Sequence, residues 1–313
     1  MLVTERPGRL RLIEPGPDGQ PRVGMFTTTD LRDALLRPVP PARLAVREVA
    51  RFDLIGVTPD TELFFPDSQH VTACNQIRYA CTSGTMAVLT GEIGLGKTLV
   101  VRTVLRQLPP EVRVAYLINP FIDHHDLLRD IYTRFSDTPS AAEMSLSQVH
   151  EALLQTVMVG TLKGLRYAVI VDEAHRLHPE ALEMLRLLSN LETEKHKLIS
   201  LILVGQPELE RTLLLRAMRP LRERIGVWLK LSPLSRDEMD AYIAHRIRLT
   251  HSQGRFEFTT LALWHLHRRT GGVPRRINYA CEKALLLTFA DKRQKVGLSQ
   301  ARQACREFSK AWS

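Results

Sequence analysis

The sequence predicts an α/β protein: a parallel sheet covered by helices on both faces, followed by an all-helical lid. Five short apolar runs carry the first half of this expectation: MAVLT (86–90), VRVAYLIN (112–119), RYAVIVD (166–172), LISLILVG (198–205) and IGVWLKL (225–231). They alternate with segments of helical period such as PEALEMLRLLSNLETEK (179–195). Strands that are apolar along their whole length need cover on both faces, and their alternation with helices requires parallel crossovers. After Pro233 the strand pattern stops and four helical patterns follow: SRDEMDAYIAHRIRLTH, TTLALWHLHRRT, PRRINYACEKALLLTFA and LSQARQACREFSKAW. The expected organisation is an N-terminal arm over 1–50, an α/β domain over 51–232 and the lid over 233–313.

Taken in order, residues 1–50 are rich in Pro, Gly and Arg. RLRLIEPGPDGQPRVGMF reads as a short hairpin or extended arm around the turn-forming PGPDGQP, and TTDLRDALLR as one capped helix. The chain of 313 residues, 44% of them apolar, is long enough for a large core. No apolar run approaches the roughly 18 residues of a membrane span, and the N-terminus has no signal-peptide core. A cytoplasmic protein is the expectation. Cys74, Cys81, Cys281 and Cys305 form no CxxC pair, so free thiols are expected. The net charge of +9 is concentrated: residues 233–313 hold 15 Lys+Arg against 7 Asp+Glu. A basic lid of that kind suits nucleic acid or another polyanion, or it is a solvated helix face.

The chemistry begins directly after MAVLT. Gly91-Glu92-Ile93-Gly94-Leu95-Gly96-Lys97-Thr98 is a complete GxxxxGK[ST] loop, and it opens the helical segment TLVVRTVLRQL. Strand, loop and helix are the context in which this motif binds nucleotide phosphates. Glycines let backbone N–H groups curl around the phosphates, Lys97 reaches the β- and γ-phosphates, and Thr98 ligates Mg²⁺ at a helix N-terminus. The second element is RYAVIVDEAHRL. A buried strand delivers Asp172 to its C-terminal end, where a carboxylate holds the metal's shell, and Glu173 follows as the base that orients the attacking water. ATP and Mg²⁺ are the expected cofactors. DEAH also spells a helicase class, but that class carries two motor domains, and this chain has one loop of this kind.

Further residues enter through a resemblance. The run LTGEIGLGKT … INPFIDHHDLLRDI … VIVDEAHRLHPEALEMLRLLSNLETEKHKLISLILVGQPELE … LRPLRERIGVWLKLSPLSRDEMDAYIAHRI … GGVPRRINYACEKALLL resembles the ExeA family of AAA+ ATPases over about Phe52–Ala290, and TPDTELFFPDSQH (58–70) is similar to that family's N-terminal segment. The resemblance implies an AAA+ P-loop NTPase with a five-stranded parallel sheet and a helical lid. It implies an oligomer, ring or helical filament, with ATP bound between subunits. It also implies roles. Gln206, after the fourth strand, matches the sensor beside the γ-phosphate. Arg275 in GGVPRRIN matches the lid's sensor arginine. Arg224 is similar to the finger that reaches a neighbour's ATP, with Arg222 second and Arg219 third. Arginines so placed stabilise charge on the transferred phosphoryl group.

Other candidates rank lower. His124 and His125 lie outside a ligand cluster, His265 and His267 point to different helix faces, and Leu261 and Trp264 are expected in the lid core. For what the ATPase drives, the basic lid and the N-terminal arm favour a DNA-associated regulator, bound to double-stranded DNA without sequence preference and acting on a transposase or similar protein. Such helpers, of the TniB and TnsC type, share the AAA+ core. The alternative is an ATPase of secretion or type IV pilus assembly, as in the family's name members.

Overall fold

The structure, a computed structural model, describes the backbone of residues 2–6, 9–15 and 21–26, and residues 61–118, 123–136, 144–192, 197–249 and 256–312. It divides into two units, Met1–Phe52 and Asp53–Ser313. In the first unit, β1 (Leu2–Arg6), β2 (Arg9–Pro15) and β3 (Pro21–Phe26) form an antiparallel sheet in that order. β2 and β3 pair from Leu10↔Phe26 to Pro15↔Pro21, so the expected hairpin is present. The helix expected over TTDLRDALLR lies outside the described residues.

The second unit opens with α1 (Ser68–Ser83), capped by Asp67, whose carboxylate accepts from the His70 N–H, and stopped at Gly84, where φ is +72°. There follow β4 (Met86–Thr90), α2 (Lys97–Gln107), β5 (Val112–Leu117), α3 (His124–Phe135), α4 (Leu146–Leu162), β6 (Arg166–Val171), α5 (Pro179–Leu188), β7 (Ile199–Gly205), α6 (Pro207–Leu214), the short α7 (Arg219–Arg222) and β8 (Ile225–Lys230). The lid comprises α8 (Arg236–Leu249), β9 (Glu257–Phe258), α9 (Thr260–Thr270), α10 (Pro274–Ala290), β10 (Lys295–Val296) and α11 (Leu298–Trp312).

The five strands β4–β8 form one parallel sheet in the order β5-β6-β7-β4-β8. Their period-2 side chains divide between two cores. Val88, Val169, Val171, Leu201 and Leu203 pack with α3, α4, α5 and α6. Ala87, Leu89, Ala168, Ile170, Ile202 and Val204 pack with α1 and α2. All are at most 2% exposed, so truncating any of the large ones costs about 2–5 kcal/mol. The strand order reverses at β4, and the crevice beyond the carboxyl ends of β4, β6 and β7 is where such sheets bind ligands. Among the described residues no helix is long and apolar enough to cross a membrane.

Three local expectations are corrected. Leu261 and Trp264 are 62% and 51% exposed, not core. Ala262, Leu266 and Thr270 occupy the buried side of α9, and their spacing puts Leu261 and Trp264 on the opposite side. The helix expected over 179–195 ends at Leu188, because Ser189 caps it and Glu192 and Lys197 bridge into the entry to β7. The lid also holds a two-residue parallel pair, Glu257↔Lys295 and Phe258↔Val296, too short to leave a strand signal. All four cysteines are free and buried. Burial raises the Cys74 and Cys305 thiols to about 11 and Cys81 to about 12, so they stay protonated and inert.

A candidate nucleotide site at the carboxyl ends of the strands

The loop from Gly91 to Gly96 joins β4 to α2, and its residues from Ile93 onward line a cavity. Gly94 and Gly96 have φ of +84° and +93°, which disfavour any side chain. A Cβ on Gly94 would lie 2.7 Å from Arg275 Cβ, and one on Gly96 3.0 Å from His70 Nε2. Lys97 is 6% exposed and folds back over the loop, its Nζ donating to the carbonyls of Gly91 (2.7 Å) and Glu92 (3.0 Å). Burial pulls its pKa below the usual lysine value, against the opposing charges of Glu173, Asp172, Glu92 and Glu208. These two carbonyls satisfy the buried ammonium.

Asp172, 2% exposed, follows β6. Its Oδ2 accepts from Thr98 Oγ1 (2.8 Å) and Tyr116 Oη (3.1 Å), and its Oδ1 from the Glu173 N–H (2.9 Å). Burial and the Asp172 charge push the Tyr116 phenol well above its usual pKa, so the hydroxyl remains a donor at every working pH. A hydroxyl and a carboxylate converging from α2 and β6 are the hard oxygen set that suits Mg²⁺. Together with the glycine cradle, they fit a magnesium nucleotide.

Glu173 adopts φ +55°, a left-handed conformation rare for a non-glycine residue and held here by its surroundings. Its Oε2 lies 3.4 Å from Gln206 Nε2 and 3.6 Å from His175 Nε2. The Gln206 N–H points at His175 Nδ1 (3.4 Å), so Nδ1 is the acceptor and the ring proton sits on Nε2, facing the carboxylate. Burial lowers the His175 pKa, which keeps the ring neutral near pH 7.

The lid closes the other side. The Arg275 N–H donates to the Gly94 carbonyl (3.2 Å), and Tyr242 Oη donates to Asn278 Oδ1 (2.8 Å). A cavity of about 420 Å³ results, lined by the loop from Ile93 to Thr98, by Glu173, Gln206 and Arg275, and by Phe64, Phe65, Tyr242 and Asn278. The structure thus brings Gly94, Gly96, Lys97, Thr98, Glu173, Gln206 and Arg275 to one cavity, with Asp172 bonded to its edge through Thr98. Arg219, Arg222 and Arg224 do not line it. Arg219 pairs with Glu223 (2.7 Å), Arg222 donates to the Leu214 carbonyl (3.1 Å), and Arg224 is exposed in the turn before β8.

Sequence reasoning missed Tyr116, His175 and the Asp67–His70 pair. The tyrosine inside the apolar VRVAYL and the FFPDSQH segment were the available signals. It also placed His124 and His125 outside any ligand cluster, whereas Asp123, His124 and His125 bring ligand atoms within 4.8 Å of one another at the start of α3. All three are partly or fully exposed, and Asp123 Oδ1 pairs with His124 at 2.6 Å. His265 and His267 do diverge: His267 Nε2 bonds the Leu234 carbonyl (3.1 Å), while His265 faces Arg302, Arg269 and Arg268, which with burial lower its pKa.

Residues 81–213 match the AAA domain family. General secretion pathway protein A from Aeromonas hydrophila is 37% identical over 242 residues, covering 77% of this chain. The chain spans less than half of that relative, 44% of its length. Among solved structures, Cdc6p from Pyrobaculum aerophilum aligns over 79% of this chain and 71% of its own with a TM-score of 0.59 at 17% identity. The Orc1 protein of Aeropyrum pernix, solved in complex with DNA, aligns over 82% and 69% with a TM-score of 0.55 at 18% identity. The fold is that of an AAA-type P-loop NTPase.

Proposed function

We propose that this AAA-fold ATPase hydrolyses Mg-ATP at a site completed by a second copy of the chain, and that the cycle drives assembly of a secretion or pilus apparatus on the cytoplasmic side of the envelope. The observation behind the catalytic half is the convergence of Lys97, Thr98, Asp172, Glu173, Gln206 and Arg275 on one cavity. In this reading Lys97 leaves its two carbonyls for the β- and γ-phosphates. Thr98 and Asp172 are the residues that would hold Mg²⁺, which when bound would supply positive charge beside the phosphates. Glu173, positioned by Gln206 and His175, orients and deprotonates the attacking water, and Gln206 reports the γ-phosphate. Arg275 brings the lid onto the nucleotide. Arg224, exposed and not among the residues that line its own cavity, serves a neighbour's site, with Arg222 and Arg219 the other candidates.

The secretion reading rests on the 37% identity to general secretion pathway protein A, and it reverses the order in which the sequence alone ranked the two clients. Replacing the native gene by one encoding Lys97→Ala tests both halves. Loss of nucleotide binding in the purified variant together with loss of secreted proteins from the medium supports the proposal. Normal secretion with a dead ATPase moves the client elsewhere.

A second reading keeps one observation of its own. Arg268 and Arg269 on α9 and Arg302 on α11 are exposed, and none has a carboxylate partner among the described residues. That face suits the backbone of double-stranded DNA read without sequence preference, as expected for a DNA-associated regulator. Its binding would then fall steeply with salt. A transposase as its partner gains nothing from the relatives described above. Failure of the chain to retain duplex DNA at low salt, with ATP or ADP, would end this reading.

A further inference from the structure

His70 is buried beneath the phosphate loop, and both of its ring nitrogens face acceptors. Nδ1 donates to Asp67 Oδ2 at 2.6 Å and Nε2 to the Leu95 carbonyl at 2.9 Å. An imidazole can satisfy two acceptors only when both nitrogens carry protons, so the ring is a cation. Asp67 is itself held as the N-cap of α1, its other oxygen accepting from the His70 N–H at 2.9 Å. The Leu95 carbonyl and the Gly96 N–H belong to one planar peptide unit and point in opposite directions. Pinning that carbonyl from beneath therefore aims the Gly96 N–H into the cradle. Gly96 leaves the room that His70 fills. The segment that delivers His70 also touches the lid, where Phe65 packs edge-on against Tyr242 at 5.5 Å, and the chain just before it, where Gln69 exchanges hydrogen bonds with both backbone groups of Ser232 at 3.0 and 2.9 Å.

We propose that Asp67 and His70 are a positioning pair for nucleotide binding: His70, bridging the Asp67 carboxylate and the Leu95 carbonyl, sets the shape of the phosphate loop from beneath, and the lid reaches the loop through the same segment. The pair touches no nucleotide atom and acts through the Leu95–Gly96 peptide. Groups facing His70 from the packed elements are Asp67 from the start of its own helix, Glu238 from α8 and the Leu95 carbonyl from the loop, with the Phe64 ring edge beside it. Burial pulls its pKa down, but Asp67, the Leu95 carbonyl and Glu238 outweigh burial and raise it above the usual 6.5. The cation is therefore present below that raised value and lost as pH climbs through it, which sets the direction of the pH effect.

The inference rests on the loop being the nucleotide site, and the test separates the two. Affinity for a fluorescent methylanthraniloyl-ADP is measured from pH 6 to 9 for the full chain and for His70→Gln, Asp67→Asn and Lys97→Ala, with steady-state kinetics on ATP. His70→Gln is expected to bind about 5–20-fold more weakly at pH 6.5, with KM rising more than kcat falls. The wild-type advantage over His70→Gln should shrink as pH rises. Asp67→Asn should shift that decline to lower pH, and it decides the matter if His70→Gln fails to fold. Wild-type affinity in His70→Gln, pH curves that run parallel, or an unshifted decline in Asp67→Asn would each overturn the proposal. Normal binding in Lys97→Ala as well would instead overturn the assignment of the loop.

Discussion

Tyr116→Phe removes one oxygen beside Asp172, and with it that oxygen's contact to Arg102. The Tyr116 hydroxyl is one of three donors to the Asp172 carboxylate, at 3.1 Å, beside Thr98 at 2.8 Å and the Glu173 N–H at 2.9 Å. In the proposed Mg²⁺ site the Thr98 hydroxyl would turn toward the metal, which would leave Tyr116 a larger share of the anchoring. A hydrogen bond to a buried charged group is worth about 1.5–3 kcal/mol. Taking about 2 kcal/mol, the metal requirement should rise roughly 30-fold if the whole loss fell on metal binding, since about 1.4 kcal/mol is a factor of ten. Part of the loss falls on the metal-free protein, so an increase of about 5–30-fold in the Mg²⁺ concentration for half-maximal turnover is expected. A fall in melting temperature of up to about 4 °C without nucleotide should accompany it, from the remaining share of at most about 1 kcal/mol at about 2–4 °C per kcal/mol for a unit of this size. Mg²⁺ titrations of phosphate release and thermal melts measure the two. A half-saturation point within twofold of wild type and an unchanged melt would show that Tyr116 does not hold Asp172.

Other substitutions probe the rest of the site. Gly94→Ala forces a side chain onto φ +84° and within 2.7 Å of Arg275 Cβ, which should weaken nucleotide binding at least tenfold; unchanged affinity would mean that the lid does not sit on the loop as described. Arg224→Ala should keep ATP affinity and lose turnover about 10³-fold, and mixing it with Glu173→Gln should restore activity, because each partner supplies what the other lacks. If Arg224→Ala turns over normally, the same assay on Arg222→Ala and Arg219→Ala identifies the finger. Arg275→Ala should raise KM for ATP more than it lowers kcat, measured by steady-state kinetics; a fall in kcat with KM unchanged would place it on the transition state alone.

Much of the fold and the centre of the site were legible because their signals are local. MAVLT, the glycine-rich loop and the helix after it are contiguous, and Asp172 and Glu173 follow directly on a buried strand. The rest depends on contacts that spacing does not encode. Tyr116 reaches Asp172 across 56 positions and His70 reaches Leu95 across 25, so neither shows its role in its own neighbourhood. Trp264 and Leu261 are apolar yet exposed, because apolarity alone does not fix which side of a helix is packed. On α9 the small residues Ala262 and Thr270 take the packed side, and Arg268 lies over the exposed Trp264 ring at 5.6 Å. The end of α5 was overextended because ETEK keeps helical propensity, while the Glu192–Lys197 bridge turns the chain toward β7. Tertiary pairing outweighed local preference there.

Phosphate release from ATP by the purified full chain, with Mg²⁺ and over a range of protein concentrations, tests the central claim most directly, run beside Glu173→Gln. The proposed mechanism requires turnover that rises faster than linearly with protein concentration, each site taking a neighbour's arginine. It also requires that Glu173→Gln bind ATP normally but fall at least 10²-fold in rate. Phosphate release that persists in Glu173→Gln, or none from the wild type at any concentration, would contradict it.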